Sequence, residues 1–237
     1  MTSLARISGA AVLFDVDGVL VDSYAAYRRI WDRWALHRSL DPVIVWAHTH
    51  GRRPIDTITV VAPHLDAEAE YRLVRDFMAD EGDAFPVYAD APATLEIVRD
   101  QPWGVVTSGR ALTVRQRLRA GGLPDPPVLV DSTQVTHGKP DPEGYLRAAD
   151  LLRTSPERCL VIEDAPAGIA AARAAGMTVI ALTTTHTAAQ LADAHHVTET
   201  LGDAMPIIGN WLVVRQASSR GRASSEASEA RNRPAAR

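Results

Sequence analysis

Short apolar runs alternate with helical patterns along most of this chain, and this alternation restricts the fold more than any other feature of the sequence. The runs are typical of buried parallel strands and lie at 10–14, 104–106, 127–130, 159–162 and 177–182. Helical patterns lie between them, at 112–120, 142–152 and 167–175. Strand and helix alternating in this way predict an α/β fold with a doubly wound parallel sheet. In such a sheet the chemistry gathers at the carboxyl ends of the strands.

The alternation is interrupted at residues 24–91, where the pattern is helical and contains no central-strand run. An insertion of this length after the first strand predicts an α-helical cap domain over the cleft, with the α/β core formed by residues 1–23 and 92–214. The alternative is that these helices pack on the sheet itself. Residues 215–237 are mainly Ala, Ser and Arg without apolar periodicity, which predicts a disordered tail.

Charge and composition exclude several classes of function. The net charge of the 237 residues is −4, but six Arg and two Glu give the predicted tail +4, so residues 1–214 carry −8. A folded part with this charge is not expected to bind nucleic acid. No apolar run approaches the roughly 18–20 residues that span a bilayer, so we expect no membrane partner. The single cysteine, Cys159, excludes a disulfide framework and favours a cytoplasmic location.

Two carboxylates, Asp15 and Asp17, directly follow the first apolar run and precede Gly18. Side chains two apart on an extended chain point the same way, and Gly18 permits the turn that follows. Such a pair can hold a divalent cation, and one carboxylate can act as nucleophile while the other moves protons. A calcium loop would continue with further oxygen donors, whereas residues 19–21 are apolar. A purely structural pair would be costly to bury without a cation or hydrogen-bond donors.

Polar residues follow two later apolar runs. Thr107, Ser108 and Gly109 form a hydroxyl and amide cluster that could bind phosphate oxygens, although Thr-Ser-Gly is also an ordinary turn. Glu163 and Asp164 end the fourth run. Together with the first pair they would place four carboxylates at one edge of the sheet, where they could not all be ionised without a cation and a nearby lysine.

Lys139 is the one lysine among the 25 basic residues of the chain. It lies in the segment Gly-Lys-Pro-Asp-Pro, ahead of a helical pattern. The ammonium group of lysine is a compact point charge, whereas the guanidinium of arginine is planar and bulkier. A position that keeps lysine in a chain otherwise rich in arginine therefore suggests a specific role for this residue. The alternative is that the arginine bias of the chain left one lysine by chance.

Taken in order, the motifs DVDGVLVDS, VVTSG, GKPDP and IEDAPAG resemble those of the haloacid dehalogenase superfamily of phosphohydrolases. The resemblance covers about residues 10–200, and the position of the insertion is similar to that of the helical C1 cap. It implies a Rossmannoid core and a reaction in which Asp15 attacks phosphorus to form an aspartyl-phosphate. Asp17 would protonate the leaving alcohol and then activate the hydrolytic water.

The same resemblance implies a phosphate site and a Mg²⁺ site. The implied phosphate-binding residues are Thr107, Ser108, Gly109 and Lys139, with Thr107 and Lys139 holding the group during transfer. The implied Mg²⁺ ligands are the Asp15 side chain, the Asp17 backbone carbonyl and Asp164, with Glu163 acting through water. The implied partner is a small phosphorylated metabolite, and the sequence indicates no oligomeric state.

Departures from the family patterns separate the possible reactions. Dehalogenases lack the second aspartate of the first motif, and phosphonatases use a cap lysine, so the presence of Asp17 and a cap without lysine favour a phosphatase. The β-phosphoglucomutases have a histidine twelve residues after the nucleophile, where this chain has Tyr27. A mutase of that type stays the alternative. A non-catalytic phosphosugar-binding regulator is a third possibility, although mere binding has no need of Asp17.

The segment His-Gly-Arg-Arg at 50–53 looks most similar to phosphatases of sugar phosphates and glycerol phosphate. By that resemblance Arg53, and with it Arg52, would reach from the cap to the substrate. The alternative is that the two arginines form a solvated surface.

Overall fold

The strands form one parallel sheet. A computed structural model describes residues 10–82 and 85–213, and the predicted tail lies outside these residues. The strands in this part of the chain are β1 (Ala11–Phe14), β2 (Trp103–Val106), β3 (Leu129–Val130), β4 (Cys159–Glu163), β5 (Thr178–Leu182) and β6 (His196–Thr198). All neighbours pair in parallel, in the order β3-β2-β1-β4-β5-β6. The predicted doubly wound α/β core is therefore confirmed.

This strand order places a cleft beside β1. The chain moves outward from β1 to β3 and then returns to β4 on the other side of β1. At such a reversal the connections leave in opposite directions, which opens a crevice at the carboxyl ends of the two strands. The acidic motifs at 15–17 and 163–164 end the two strands that border this crevice.

The central strands are buried on both faces, which explains why each appears in the sequence as a continuous apolar run. On β1, Val12 and Phe14 belong to one hydrophobic cluster, whereas Ala11 and Leu13 belong to a second cluster on the opposite face. Helices cover both clusters, as expected of a parallel sheet.

Four helices form a hydrophobic cluster of their own between β1 and β2. The helices of the chain are α1 (Tyr24–His37), α2 (Pro42–Ala47), α3 (Pro54–Val61), α4 (Ala67–Glu81), α5 (Ala91–Val98), α6 (Ala111–Ala120), α7 (Glu143–Leu151) and α8 (Pro166–Ala174), and residues 201–213 are also helical. Helices α1 to α4 pack around Trp31, Trp34, Ile58 and Val74. Helix α5 instead packs on the sheet through Leu95. This separation favours the cap domain, whose boundaries stay a prediction.

Some elements are shorter than the sequence patterns predict, and others were not predicted. The third strand contains only Leu129–Val130 rather than four residues, and the edge strand β6 is too polar and exposed to give an apolar run. Helices α2 and α3 are short and begin at prolines, so they show little periodicity. Within the described residues, every helix is too short or too polar to cross a bilayer.

Candidate active site

The polar ends of three neighbouring strands converge on one buried group of side chains. Asp15 follows β1, Thr107 follows β2, and Glu163 ends β4. Lys139 and Asp164 complete the group from the loop before α7 and the loop after β4. All five side chains are buried, although all five are polar or charged. Buried groups of this kind need partners: Lys139 pairs with Asp15 and Glu163, Thr107 accepts from the Gly109 amide, and Asp164 accepts from the hydroxyl of Thr185.

Lys139 binds two of the carboxylates directly. Its Nζ donates to Asp15 Oδ1 at 2.8 Å and to Glu163 Oε1 at 2.6 Å, and it also contacts the Val106 carbonyl at 3.3 Å. Burial opposes the charge of the ammonium group, but the attraction of Asp15 and Glu163 outweighs it and raises the pKa of Lys139 well above its usual value. The lysine is therefore a permanent positive charge beside the predicted nucleophile.

Glu163 is held on every side. Tyr145 donates to its Oε1 at 2.8 Å, and the backbone amides of Asp164 and Ala165 donate to its Oε2 at 3.0 and 3.3 Å. A Cβ atom at Gly168 would lie 1.7 Å from Oε1, so only glycine leaves room for this carboxylate. Glu163 thus anchors the lysine that it contacts.

Asp15, Glu163 and Asp164 each place a carboxylate oxygen within 4.8 Å of the others. Burial raises the pKa of Asp15 to about 7, and burial also raises the pKa of Asp164 well above its usual value. Lys139 compensates one of the three negative charges. The remaining charge and the all-oxygen donor set fit a hard divalent cation such as Mg²⁺.

Gly18 makes room for one of these carboxylates. It has a φ of +83°, and a Cβ atom there would lie 2.0 Å from Asp164 Oδ2. The glycine of the first motif therefore permits both the turn after Asp17 and the close approach of the third carboxylate.

Asp17 lies at the same edge of the sheet, but its side chain is not one of the three whose carboxylate oxygens lie within 4.8 Å of one another. The side chain is 26% exposed, and it lines a cavity between the core and helices α1 to α4. Its Oδ1 lies 3.6 Å from a guanidinium nitrogen of Arg117. Asp15 lies at the base of the same cavity. The two aspartates therefore face a common space from different positions.

The predicted phosphate-binding residues divide between this cavity and a smaller one. Ser108 and Gly109 line the main cavity, whereas Thr107 and Lys139 line an adjoining space of about 20 Å³. Thr107 Oγ1 accepts from the Gly109 amide at 3.0 Å. Ser108 Oγ donates to the carbonyl of Gly51 at 2.9 Å, which joins the core loop to the loop before α3.

The main cavity has a volume of about 320 Å³, and aromatic side chains form much of its wall. These side chains are Tyr24, Tyr27, Trp31, Trp46 and Tyr71. Trp34 is buried elsewhere, where its Nε1 donates to Glu70 at 3.0 Å. A cavity that combines aromatic side chains with charged groups such as Asp15, Asp17 and Arg52 is typical of a small-molecule site.

Residues 10–176 match the family described as haloacid dehalogenase-like hydrolase, which is more than half of the chain. The chain belongs to this family. The predicted superfamily, and with it the prediction of an enzyme, are confirmed.

Phosphatases and a β-phosphoglucomutase are similar to this hydrolase over most of its length. It is 39% identical to hexitol phosphatase A of Escherichia coli over 175 residues, covering 72% of this chain and 81% of that protein. It is 35% identical to validoxylamine A 7'-phosphate phosphatase of Streptomyces hygroscopicus over 196 residues, covering 77% and 89%. The crystal structure of a β-phosphoglucomutase from Clostridium difficile has the same fold, with a TM-score of 0.75 at 20% identity and coverage of 88% and 99%.

Arg53 of this hydrolase is engaged away from the main cavity. It pairs with Asp56 through two hydrogen bonds of 2.7 and 2.8 Å, and it donates to the carbonyls of Val135 and Thr136 at 3.3 and 3.2 Å. It thus joins the start of α3 to the loop that carries Lys139. Arg52 lines the cavity instead. Arg53 also lines the smaller cavity, together with Thr107 and Lys139, so its predicted contact with substrate stays a prediction.

Two buried site residues of this hydrolase were not found by the sequence reasoning. Tyr145 and Arg117 lie on α7 and α6, where the helical pattern shows that they face inward but not which polar group they meet. The signal that could have found Arg117 is its charge on the inward face of the helix, beside Val114 and Leu118.

Proposed function

We propose that this hydrolase is a Mg²⁺-dependent phosphatase that releases phosphate from a sugar or polyol phosphate through an aspartyl-phosphate. One observation carries the proposal. Asp15 is held by Lys139 within a cluster of carboxylates that fits a divalent cation, and it opens into a cavity that a second carboxylate, Asp17, also faces. A nucleophile beside a permanent cation and a separate proton carrier are the groups that phosphoryl transfer by a carboxylate needs.

The oxygens of Asp15 and Asp164 and the Asp17 backbone carbonyl would hold Mg²⁺, with Glu163 acting through water. The ion would supply positive charge to the transferring phosphoryl group. Lys139 would supply further positive charge, because its ammonium group is fixed beside Asp15 by its contacts with Asp15 and Glu163.

The reaction then proceeds in two steps. In the first, a carboxylate oxygen of Asp15 bonds to phosphorus, the bond from phosphorus to the alcohol oxygen breaks, and Asp17 gives that oxygen a proton. In the second, Asp17 takes a proton from water, the water oxygen bonds to phosphorus, and the bond from phosphorus to Asp15 breaks. Thr107 and Lys139 would hold the phosphoryl oxygens in both steps.

The nature of the substrate is proposed from the cavity and from the relatives. Its volume of about 320 Å³ admits a molecule larger than phosphate, and the aromatic side chains that line it can contact the carbon skeleton of a polyol or sugar. Two relatives are named as phosphatases, and one of the two names is hexitol phosphatase A. Arg52 is the charged residue of the 50–53 segment that reaches this cavity.

Tyr27 weighs against the mutase alternative. Its hydroxyl accepts a hydrogen bond from Arg117 at 2.8 Å, and burial together with the charge of Asp17 raises its pKa to about 12. Such a hydroxyl does not exchange protons near neutral pH as a histidine can. The alternative of a non-catalytic regulator leaves Asp17 without a role.

The test is a screen for phosphate release, with Mg²⁺, across phosphorylated sugars, polyols and nucleotides. Asp15→Asn is the test variant, and Asp125→Asn, at a carboxylate that pairs with Arg115 at the surface, is the matched control. Release from sugar or polyol phosphates that is lost only in Asp15→Asn would support the proposal. Conversion of glucose 1-phosphate to its isomer without phosphate release would assign a mutase, and tight binding without turnover would assign a regulator.

A further inference from the structure

Arg117 is a buried arginine that lies between Asp17 and the first helix of the cap. It is 3% exposed, and its Nη1 donates to the Tyr27 hydroxyl at 2.8 Å. Its guanidinium carbon lies 3.7 Å from the centre of the Phe85 ring and 5.5 Å from that of Tyr27. Burying a guanidinium is costly unless it is paired, so these contacts fix its position rather than leave it free to move.

The carboxylate of Asp17 has one oxygen on this buried side. Among the described residues, Oδ1 has no hydrogen-bond donor within bonding distance, and Arg117 Nη1 lies 3.6 Å away. The rest of the carboxylate is open to the cavity. A small rotation of Asp17 would bring Oδ1 into a hydrogen bond with the guanidinium, with its other oxygen still facing the cavity.

We propose that Arg117 is the positioning residue of the proton-carrying carboxylate. Its guanidinium holds Oδ1 of Asp17, so that the other oxygen of Asp17 is directed at the oxygen of the leaving alcohol. Because Tyr27 belongs to α1, the same guanidinium joins this orientation to the position of the cap. The inference rests on the phosphatase proposed above, since it assigns a role to Arg117 within that reaction.

The proposal predicts a dependence on the leaving group. An alcohol must receive a proton from Asp17 as its bond to phosphorus breaks, whereas p-nitrophenolate leaves as a stable anion without one. Misplacing Asp17 should therefore slow the phosphorylation of Asp15 by a polyol phosphate and leave its phosphorylation by p-nitrophenyl phosphate nearly unchanged. General damage to the site would slow both.

The experiment measures the first turnover of the Mg²⁺-loaded full chain with each substrate by rapid quench. In Arg117→Gln we expect phosphorylation by the best polyol phosphate to fall by about 10- to 100-fold, part of what a general acid contributes, and phosphorylation by p-nitrophenyl phosphate to change by less than about threefold. Asp17→Asn should show the same contrast. Arg117→Lys should recover part of the lost rate.

Two further variants keep the result interpretable. Tyr27→Phe removes one hydroxyl with little change in shape, so it should show the same contrast in weaker form even if Arg117→Gln folds poorly. Arg115→Gln, at an arginine of the same helix that pairs with Asp125 at the surface, should change neither rate.

An equal loss with both substrates in Arg117→Gln and Tyr27→Phe would overturn the inference, and so would unchanged rates with both. If the unaltered protein forms no phosphoenzyme and releases no phosphate from either substrate, the proposed function itself fails, and the inference fails with it. A contrast confined to the polyol phosphate supports both.

Discussion

The cluster of Asp15, Glu163 and Asp164 predicts that Mg²⁺ stabilises the folded protein and that this stabilisation decreases at lower pH. A ligand that binds only the folded state at a hundred times its Kd contributes about 2.7 kcal/mol. For a chain of this size that corresponds to a rise in Tm of roughly 5–10 °C. The expected effect is large enough to measure by thermal unfolding with and without Mg²⁺ at constant ionic strength.

The pH dependence follows from the pKa of Asp15, which burial raises to about 7 in the folded protein without metal, from an ordinary value of 3.8. Between these two values the folded state holds a proton that the unfolded state has lost. This contribution therefore stabilises the metal-free protein at low pH and is lost as the pH rises through about 7. Mg²⁺ must displace that proton, so between pH 8 and pH 6 its apparent affinity should fall at least about tenfold, or about 1.4 kcal/mol, because the pKa of Asp164 is raised as well.

Asp164→Asn is the variant that tests where the ion binds, and Asp125→Asn is its surface control. We expect the first to lose most of the Mg²⁺-dependent rise in Tm and the second to keep it. A rise in Tm that is as large at pH 6 as at pH 8, or that survives in Asp164→Asn, would refute the assignment of the ion to this cluster.

Three further results are expected. Lys139→Arg should lower kcat by at least about 10³-fold, because the planar guanidinium cannot replace an ammonium group enclosed by two carboxylates. Steady-state phosphate release measures this change, and activity within tenfold of that of the unaltered protein would contradict it. Gly168→Ala should reduce the free energy of unfolding by about 2–4 kcal/mol, because its Cβ would overlap the carboxylate of Glu163. The matched control in urea unfolding is Gly209→Ala, at a helical glycine where no described atom lies within 4 Å of the added Cβ, and equal effects at the two sites would disprove the argument. Trp46→Ala should raise KM for the polyol phosphate about tenfold with a smaller change in kcat, since Trp46 lines the cavity and its ring packs against Tyr24 and His50 rather than against the aspartates. A loss confined to kcat would contradict this role.

The sheet could be predicted from the sequence because its central strands are buried on both faces. Burial on both faces leaves a continuous apolar run, and the polar residue that ends each run marks the edge where the strands end together. The exposed strand β6 and the short helices α2 and α3 leave no such pattern. Exposed positions accept many residue types, and helices of six and eight residues are too short to show a clear apolar period.

The site was predictable where its residues follow strands and less so where they come from helices. Asp15 and Glu163 are placed by the sheet itself, whereas Arg117 meets Asp17 and Tyr27 through contacts between segments about 90 to 100 residues apart, which no local pattern encodes. Arg52 lines the main cavity and Arg53 the smaller one, and the choice of which side chain faces which cavity accompanies the pairing of Arg53 with Asp56. That choice is made by three-dimensional contacts.

The hydrogen bond from Ser108 to the carbonyl of Gly51 has a consequence for phosphate binding. A serine hydroxyl has a single hydrogen to donate, so Ser108 cannot serve this carbonyl and a phosphate oxygen together. If an arriving phosphate takes that hydrogen, the contact between the loops that carry Gly51 and Ser108 is lost, at a cost of about 1 kcal/mol. Phosphate bound at Ser108 would therefore bind roughly fivefold more weakly than it would if that hydroxyl were free.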